Sequence, residues 1–243
     1  MKNRFARLEM IAGTEKVEIM KRSRVAVFGV GGVGGYAVEA LARSGLGEID
    51  LIDHDTVDPT NINRQIIALD STVGKPKVEV FAARLKDINP EIIVHTQQCF
   101  YLPEEKDRFD FTVYDYIIDA IDTVTAKVDL IVEAQKAGTP IISSMGTGNR
   151  LDPSKVYVTD LYQTSGDPLA RIMRHELKKR GVEKLTVCTS SEAPRKPVQK
   201  EIAEEQKAAS NRRGVPGSSP FVPPAAGLAI AAYVFQQLTE RSE

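Results

Sequence analysis

The chain has 243 residues, 42% of them hydrophobic and 27% charged, enough for a sizeable core in one large domain or in a domain with an appended piece. With 32 basic and 33 acidic side chains its formal net charge is −1, so no global field draws it to nucleic acid or an anionic membrane, and a polyanion must meet a local basic patch. Cys99 and Cys188 are the only cysteines and neither belongs to a CxxC, which argues against structural zinc and a disulfide framework and fits a reducing cytosol.

The opening MKNRFARLEMIAG is charged and lacks the apolar core of a signal peptide, so export is not indicated and a cytoplasmic location is expected. Residues 3–22 read as two helical pieces broken at Gly13. From Val25 the pattern alternates: strand 25–29, helix 34–44, strand 48–53, helix 75–88, strand 91–96, strand 115–120, helix 125–137 and strand 140–144. Strands alternating with helices of that length predict an α/β fold with right-handed crossovers and a doubly wound, mainly parallel sheet.

After Gly146 the pattern changes. KVYVTDLY (155–162) alternates as a half-exposed strand, Asp167 and Pro168 open a helix that Gly181 ends, and EKLTVCTS (183–190) is another strand. This C-terminal part is expected to extend the sheet with antiparallel strands. Residues 193–219 are polar and charge-rich, which reads as a mobile loop. AAGLAIAAYVFQQL (225–238) is apolar but short of the roughly 20 residues a bilayer demands, so it reads as a core or dimer-interface helix. The expected organisation is one domain over 1–243: N-terminal helices (1–22), a nucleotide-binding core (23–146), and a substrate and dimer portion (147–243).

Within VAVFGVGGVGGYAVEALARSGLGEIDLIDHD (25–55), Gly29, Gly31 and Gly34 satisfy GxGxxG between a strand and a helix. That context lets the backbone approach a phosphate at a helix N-terminus, and Asp53 at the end of the next strand suits ribose hydroxyls. To this point NAD and ATP fit equally. The following DHDTVDPTNINRQ and VGKPK add Asn61, Arg64 and Lys77. A dehydrogenase has no use for such a cationic cluster, whereas a triphosphate attacked at its α-phosphorus does. Taken singly, Lys77 also reads as a solvated charge and Arg64 as half of a surface ion pair. Asp119 and Asp122 lie at and beyond the end of an apolar strand, the edge where open parallel sheets bind ligands. One of them suits Mg²⁺ on the phosphates, and Asp122 also reads as a helix cap. No GxxxxGK[ST] is present.

GVGGVG, LIDHDTVDPTNINRQ, VGKPKVEVFAARLKDINPE and YIIDAID together resemble the adenylating superfamily of ubiquitin-activating enzymes and bacterial activators of sulfur-carrier proteins, the ThiF type, with its Rossmann-like fold. GTGNRLDPSKVYVTDLYQTSGDPLARIMRHELKKRGV, CTSSEAPRKP and GSSPFVPPAAGLAIAAYVFQQL resemble its tRNA threonylcarbamoyladenosine dehydratase branch, so the likeness covers almost the whole chain. The resemblance implies ATP as cosubstrate, Mg²⁺ linked to Asp122, and Gly29, Gly31, Gly34, Asp53, Asn61, Arg64 and Lys77 around the nucleotide. It implies that Arg64, Lys77 and Asp122 serve the chemistry and that Arg7 reaches the phosphates of a partner subunit in a homodimer. It further implies a tRNA substrate cyclised through an acyl adenylate, and raises a monovalent cation and a sulfur-transfer partner protein. Activation of a ubiquitin-like carrier protein and non-catalytic nucleotide binding are the alternatives. Arg171, Arg174, Lys178, Lys179 and Arg180, with Arg195, Lys196, Lys200, Arg212 and Arg213, are the candidate tRNA patch, against a reading as solvated surface. Cys188 reads as a small buried hydrophobe, and His54 and His175 as structural and surface residues.

Overall fold

The computed structural model describes residues 3–196, 198 and 216–240. Two short helices, α1 (Ala6–Ala12) and α2 (Thr14–Arg22), meet at Gly13, as the sequence predicts. They lead into β1 (Arg24–Phe28), α3 (Gly34–Arg43), β2 (Glu48–Ile52), α4 (Lys77–Ile88), β3 (Ile93–Gln97), β4 (Tyr116–Asp119), α5 (Val124–Ala137) and β5 (Ile141–Ser144). The remaining elements are β6 (Val156–Asp160), α6 (Pro168–Lys178), β7 (Thr186–Ser190) and α7 (Val222–Thr239).

The seven strands form one sheet in the order β3-β2-β1-β4-β5-β7-β6. All pairings are parallel except the edge pair β6–β7; the expected antiparallel extension is this pair, with β7 itself parallel to β5. Alternation along β1 sends Val25 and Val27 to one apolar cluster with α3, α4 and α7, and Ala26 and Phe28 to another with α5 and α6. Helices therefore cover both faces, as a buried parallel sheet requires. The chain runs outward from β1 through β2 to β3, then returns to place β4 on the other side of β1. That reversal opens a crevice beyond the C-terminal ends of β1 and β4.

Several boundaries differ from the sequence expectation by a few residues. Helix α7 starts at Val222, taking Pro223 and Pro224 into its first turn, where a missing N–H breaks no intrahelical bond. Between β3 and β4, Tyr101, Phe109 and Phe111, in and beside the 3-10 turns Pro103–Arg108 and Phe111–Val113, pack onto Phe28. The centroids of Tyr101, Phe109 and Phe111 lie 5.2, 5.4 and 6.2 Å from that of Phe28. Most of the expected mobile loop at 193–219 lies outside the described residues. Among the described residues no helix is long and apolar enough to cross a membrane.

Candidate functional site

The crevice is a cleft of about 350 Å³. Its floor is the loop between β1 and α3, and the three pattern glycines there meet different demands. Gly29 has φ +85° and a Cβ on it would lie 2.7 Å from the Ala120 carbonyl oxygen, while a Cβ on Gly34 would lie 1.9 Å from the Gly29 oxygen. Both are glycine because backbone occupies the space of a side chain. A Cβ on Gly31 would meet only the Gln65 amide, at 3.7 Å, so its freedom is toward the cleft. Helix α3 begins at this loop, so the positive end of its dipole faces the cleft floor, while the Gly35 and Tyr36 N–H groups of its first turn bond to the Gly31 and Val33 carbonyls. Asp53 crosses from β2: its Oδ2 accepts from the Val30 N–H at 2.8 Å and its Oδ1 from the Asp55 N–H at 2.9 Å. The carboxylate thus anchors the glycine loop, and each oxygen keeps a further acceptor site.

The cationic wall is built on the 3-10 turn Pro59–Asn61. Asp58 accepts from the Thr60 N–H at 2.8 Å, and the Asn61 Oδ1 accepts from the Asp58 N–H at 3.2 Å, which buries Asn61 and orients the residues after it. Arg64 Nη1 donates to the Thr60 carbonyl at 2.8 Å and to Asn63 Oδ1 at 2.9 Å. Among the described residues no carboxylate lies within salt-bridge distance of Arg64, and the surface ion pair the sequence allowed is not found there. Burial holds its pKa below the usual arginine value, partly offset by Asp58. Lys77, at the start of α4, is 4% exposed and donates from Nζ to Asp55 Oδ2 at 2.7 Å. A buried, paired ammonium is not a solvated charge. His54 Nε2 lies 3.0 Å from Asp55 Oδ1, and the His54 ring packs on Phe100 with centroids 4.3 Å apart.

The opposite lip follows β4. Asp119 and Lys127 form a fully buried ion pair of 2.9 Å; Lys127 Nζ also donates to the Ile121 carbonyl at 3.1 Å, and Ser143 Oγ donates to Asp119 at 2.6 Å. This network fixes the bend Ala120–Asp122, whose first residue packs against Gly29. Asp122 lines the cleft and precedes the N-cap Thr123, whose hydroxyl donates to it at 3.4 Å. The helix-cap position therefore belongs to its neighbour.

The structure gathers Gly29, Gly31, Asp53, Asn61, Arg64, Lys77 and Asp122 around this cleft, while Gly34 acts behind it. Arg7 is exposed on α1 and does not line the cleft of its own chain. Sequence reasoning missed Gln65, 7% exposed, whose Oε1 is the one buried side-chain polar atom without a hydrogen-bond partner among the described residues. The Gln65 residue lines the cleft, and its amide nitrogen is the atom that meets the open face of Gly31. Lys127 was also missed, because a lysine in a helix pattern carries no signal of burial.

The basic patch fares unevenly. Arg174 turns inward, donating to the Thr164 carbonyl at 3.0 Å, and Lys179 and Arg180 pair with Glu176, leaving Arg171 and Lys178 exposed on α6. Arg195 pairs with Glu192, Lys196 is exposed, and Lys200, Arg212 and Arg213 lie outside the described residues. Cys188 is fully buried, its thiol pushed up to about 12 by desolvation, as a small core residue should be.

Known proteins are similar to this chain in sequence and in fold. The sequence pattern of the ThiF family matches residues 3–240. This chain belongs to the ThiF family. The tRNA threonylcarbamoyladenosine dehydratase of Bacillus subtilis (strain 168) is 44% identical to it over 247 aligned residues, covering 100% of this chain and 97% of that protein. The crystal structure of the E. coli tRNA N6-threonylcarbamoyladenosine dehydratase, TcdA, in complex with ATP superposes with a TM-score of 0.87 at 34% identity, over 98% of this chain and 94% of that one. Its complex with AMP gives the same score, identity and coverage. The ThiF fold thus spans the glycine loop, the cationic wall and the C-terminal portion together.

Proposed function

We propose that this ThiF-family chain is an ATP-dependent tRNA threonylcarbamoyladenosine dehydratase. The observation that carries the reading is a nucleotide cleft with two partly or fully desolvated cations, in a chain similar to such a dehydratase from end to end. Gly29, Gly31 and Gly34 shape the phosphate floor, Asp53 accepts from ribose hydroxyls, and Asn61, Arg64 and Lys77 bind the phosphates. On nucleotide binding a phosphate oxygen displaces Asp55 as the partner of Lys77. Arg64 and Lys77 then neutralise charge as the substrate carboxylate attacks the α-phosphorus and pyrophosphate leaves. The carboxylate of Asp122 suits Mg²⁺, which would supply further neutralisation of the phosphates.

The carbamoyl group of the same substrate then attacks the activated carbonyl, AMP departs with the bonding pair, and a proton is released; the net organic change is loss of one water. The nucleophile is already tethered, so effective molarity is high and no enzyme nucleophile takes part, consistent with the burial of Cys188. Arg7, exposed and away from its own cleft, serves the cleft of the partner in a homodimer. The protein acts in the cytoplasm, where its tRNA substrate resides.

Incubation with ATP, Mg²⁺ and tRNA carrying threonylcarbamoyladenosine is expected to give a nucleoside lighter by one water, with AMP and pyrophosphate formed in equal amount. Unchanged nucleoside with no AMP overturns the reading.

A further inference from the structure

The segment GTGNR (146–150) has glycines that serve a different end from those of the nucleotide loop. A Cβ on Gly148 would lie 2.7 Å from the Pro216 Cβ, and one on Gly146 would lie 3.2 Å from Asp167 Oδ1. They let this loop press against the segment before α7 and against the α6 cap. Asn149 joins the first pair of segments. Its N–H donates to the Gly217 carbonyl at 2.7 Å, and its Oδ1 accepts from the Gly217 N–H, also at 2.7 Å. Its own carbonyl accepts from the Arg195 N–H at 2.8 Å. Asn149 is the only non-glycine residue with positive φ, +59°, among the described residues. Asparagine adopts this left-handed conformation more readily than other non-glycine residues, and here its backbone and side chain both bond to Gly217.

The next residue makes the clasp rigid. Arg150 is 2% exposed and donates from Nε to the Glu192 carbonyl at 2.8 Å, from Nη1 to the Gly146 carbonyl, and from Nη2 to Asp167 at 3.4 Å. Ser219 Oγ donates to the Arg150 carbonyl at 2.9 Å, and Asn63 Nδ2, from the cationic wall, donates to the Ser218 carbonyl at 3.0 Å. Three segments distant in sequence are thereby stapled side by side, and each presents a cleft residue: Arg64, Thr147 and Ser218.

We propose that Asn149 is a positioning residue for the acceptor half of the reaction. It holds Thr147 and Ser218 as a hydroxyl-bearing wall that orients the threonylcarbamoyl group toward the α-phosphate, without touching the nucleotide itself. The inference rests on the function proposed above. Carbonyl, amide and hydroxyl groups of that substrate are the chemistry such a wall matches, whereas phosphates and ribose are met by Arg64, Lys77 and Asp53.

The test measures ATP affinity by calorimetry and tRNA turnover for Asn149→Ala, Asn149→Gly and Asn149→Asp in the full-length protein. Ala loses the side-chain bond and strains the backbone; Gly tolerates the positive φ but still lacks the bond; Asp keeps an acceptor for the Gly217 N–H. Ala and Gly are expected to lower kcat/KM for modified tRNA by about tenfold or more, with ATP affinity within about twofold of native. Asp is expected to recover most of the loss, a rescue that general loosening of the fold would not produce. Native-like tRNA kinetics in Gly, or ATP affinity falling in step with turnover, overturns the inference while the function stands. A native protein that leaves the tRNA nucleoside unchanged removes the function and this inference together.

Discussion

The two walls of the cleft are built on opposite principles. The nucleotide wall has a local base: strand, glycine loop, helix and Asp53 lie between residues 24 and 53, Asp53 bonds back to Val30 within that span, and Arg64, Lys77 and Asp122 join it from the segments that follow. The acceptor wall is assembled across the chain, with Asn149 and Gly217 separated by 68 positions and Asn63 and Ser218 by 155. A local wall can be specified by a short motif and reused, while a distributed wall can be altered without disturbing the first. That division suits a family fold in which adenylation is common and the group adenylated differs.

The sharpest way to break the nucleotide wall is from behind. Lys127→Met leaves Asp119 charged and fully buried with its ionic partner gone, at a cost of about 3–5 kcal/mol. A large fall in Tm is expected, and Lys127→Arg, which retains the charge, should recover part of it; an unshifted melting curve for the Met variant would remove the network from any structural role. Arg64→Ala acts from the front. It should cut kcat/KM by about a hundredfold or more, as loss of a charge-stabilising donor does, with little change in Tm because no salt bridge is lost among the described residues. Equal loss of Tm with activity retained would refute the assignment.

The same contrast explains what could be read from the sequence. The element order and the glycine loop were legible because hydrophobic period and glycine spacing are local signals, and the gathering of Arg64 and Lys77 around the cleft of Asp53 followed from their position just after it. Their environments were not legible: nothing in VGKPK says that Lys77 is 4% exposed or that Asp55 neutralises it. Helical offsets allowed Arg174 onto a tRNA-facing surface, but its guanidinium turns back to Thr164, a tertiary contact that periodicity cannot predict. The clasp at Asn149 was hidden for the same reason, since GTGN reads only as a turn until its partner 68 positions away is known.

Within the nucleotide wall, two glycine substitutions separate folding from binding. Gly34→Ala drives a methyl group to 1.9 Å from a backbone oxygen and should destabilise the fold by about 1–3 kcal/mol or more, seen by thermal melting. Gly31→Ala meets only an amide at 3.7 Å, so the melting curve should hold while ATP affinity falls, because the added methyl occupies the ligand's side of the loop. If Gly31→Ala bound ATP normally, the phosphates would have to lie elsewhere.

The smallest effects come from the two thiols, one in each apolar layer or lip. Cys188 is fully buried and its thiol is pushed up to about 12, so iodoacetamide at mildly alkaline pH should leave it unmodified until the protein unfolds. Because the folded pKa lies above the unfolded value of about 8.5, this group contributes its full stability below that pH. The contribution then erodes as pH rises toward the folded value. Cys99 is only half-buried, its pKa raised chiefly by desolvation, and it lines the nucleotide end of the cleft beside Phe100. It should alkylate slowly, and bound ATP should slow it further by occupying the space the reagent must enter. Protection of Cys99 by ATP but not by modified tRNA alone would map the two walls onto two ligands; protection by tRNA alone would mean that the acceptor reaches across into the nucleotide end.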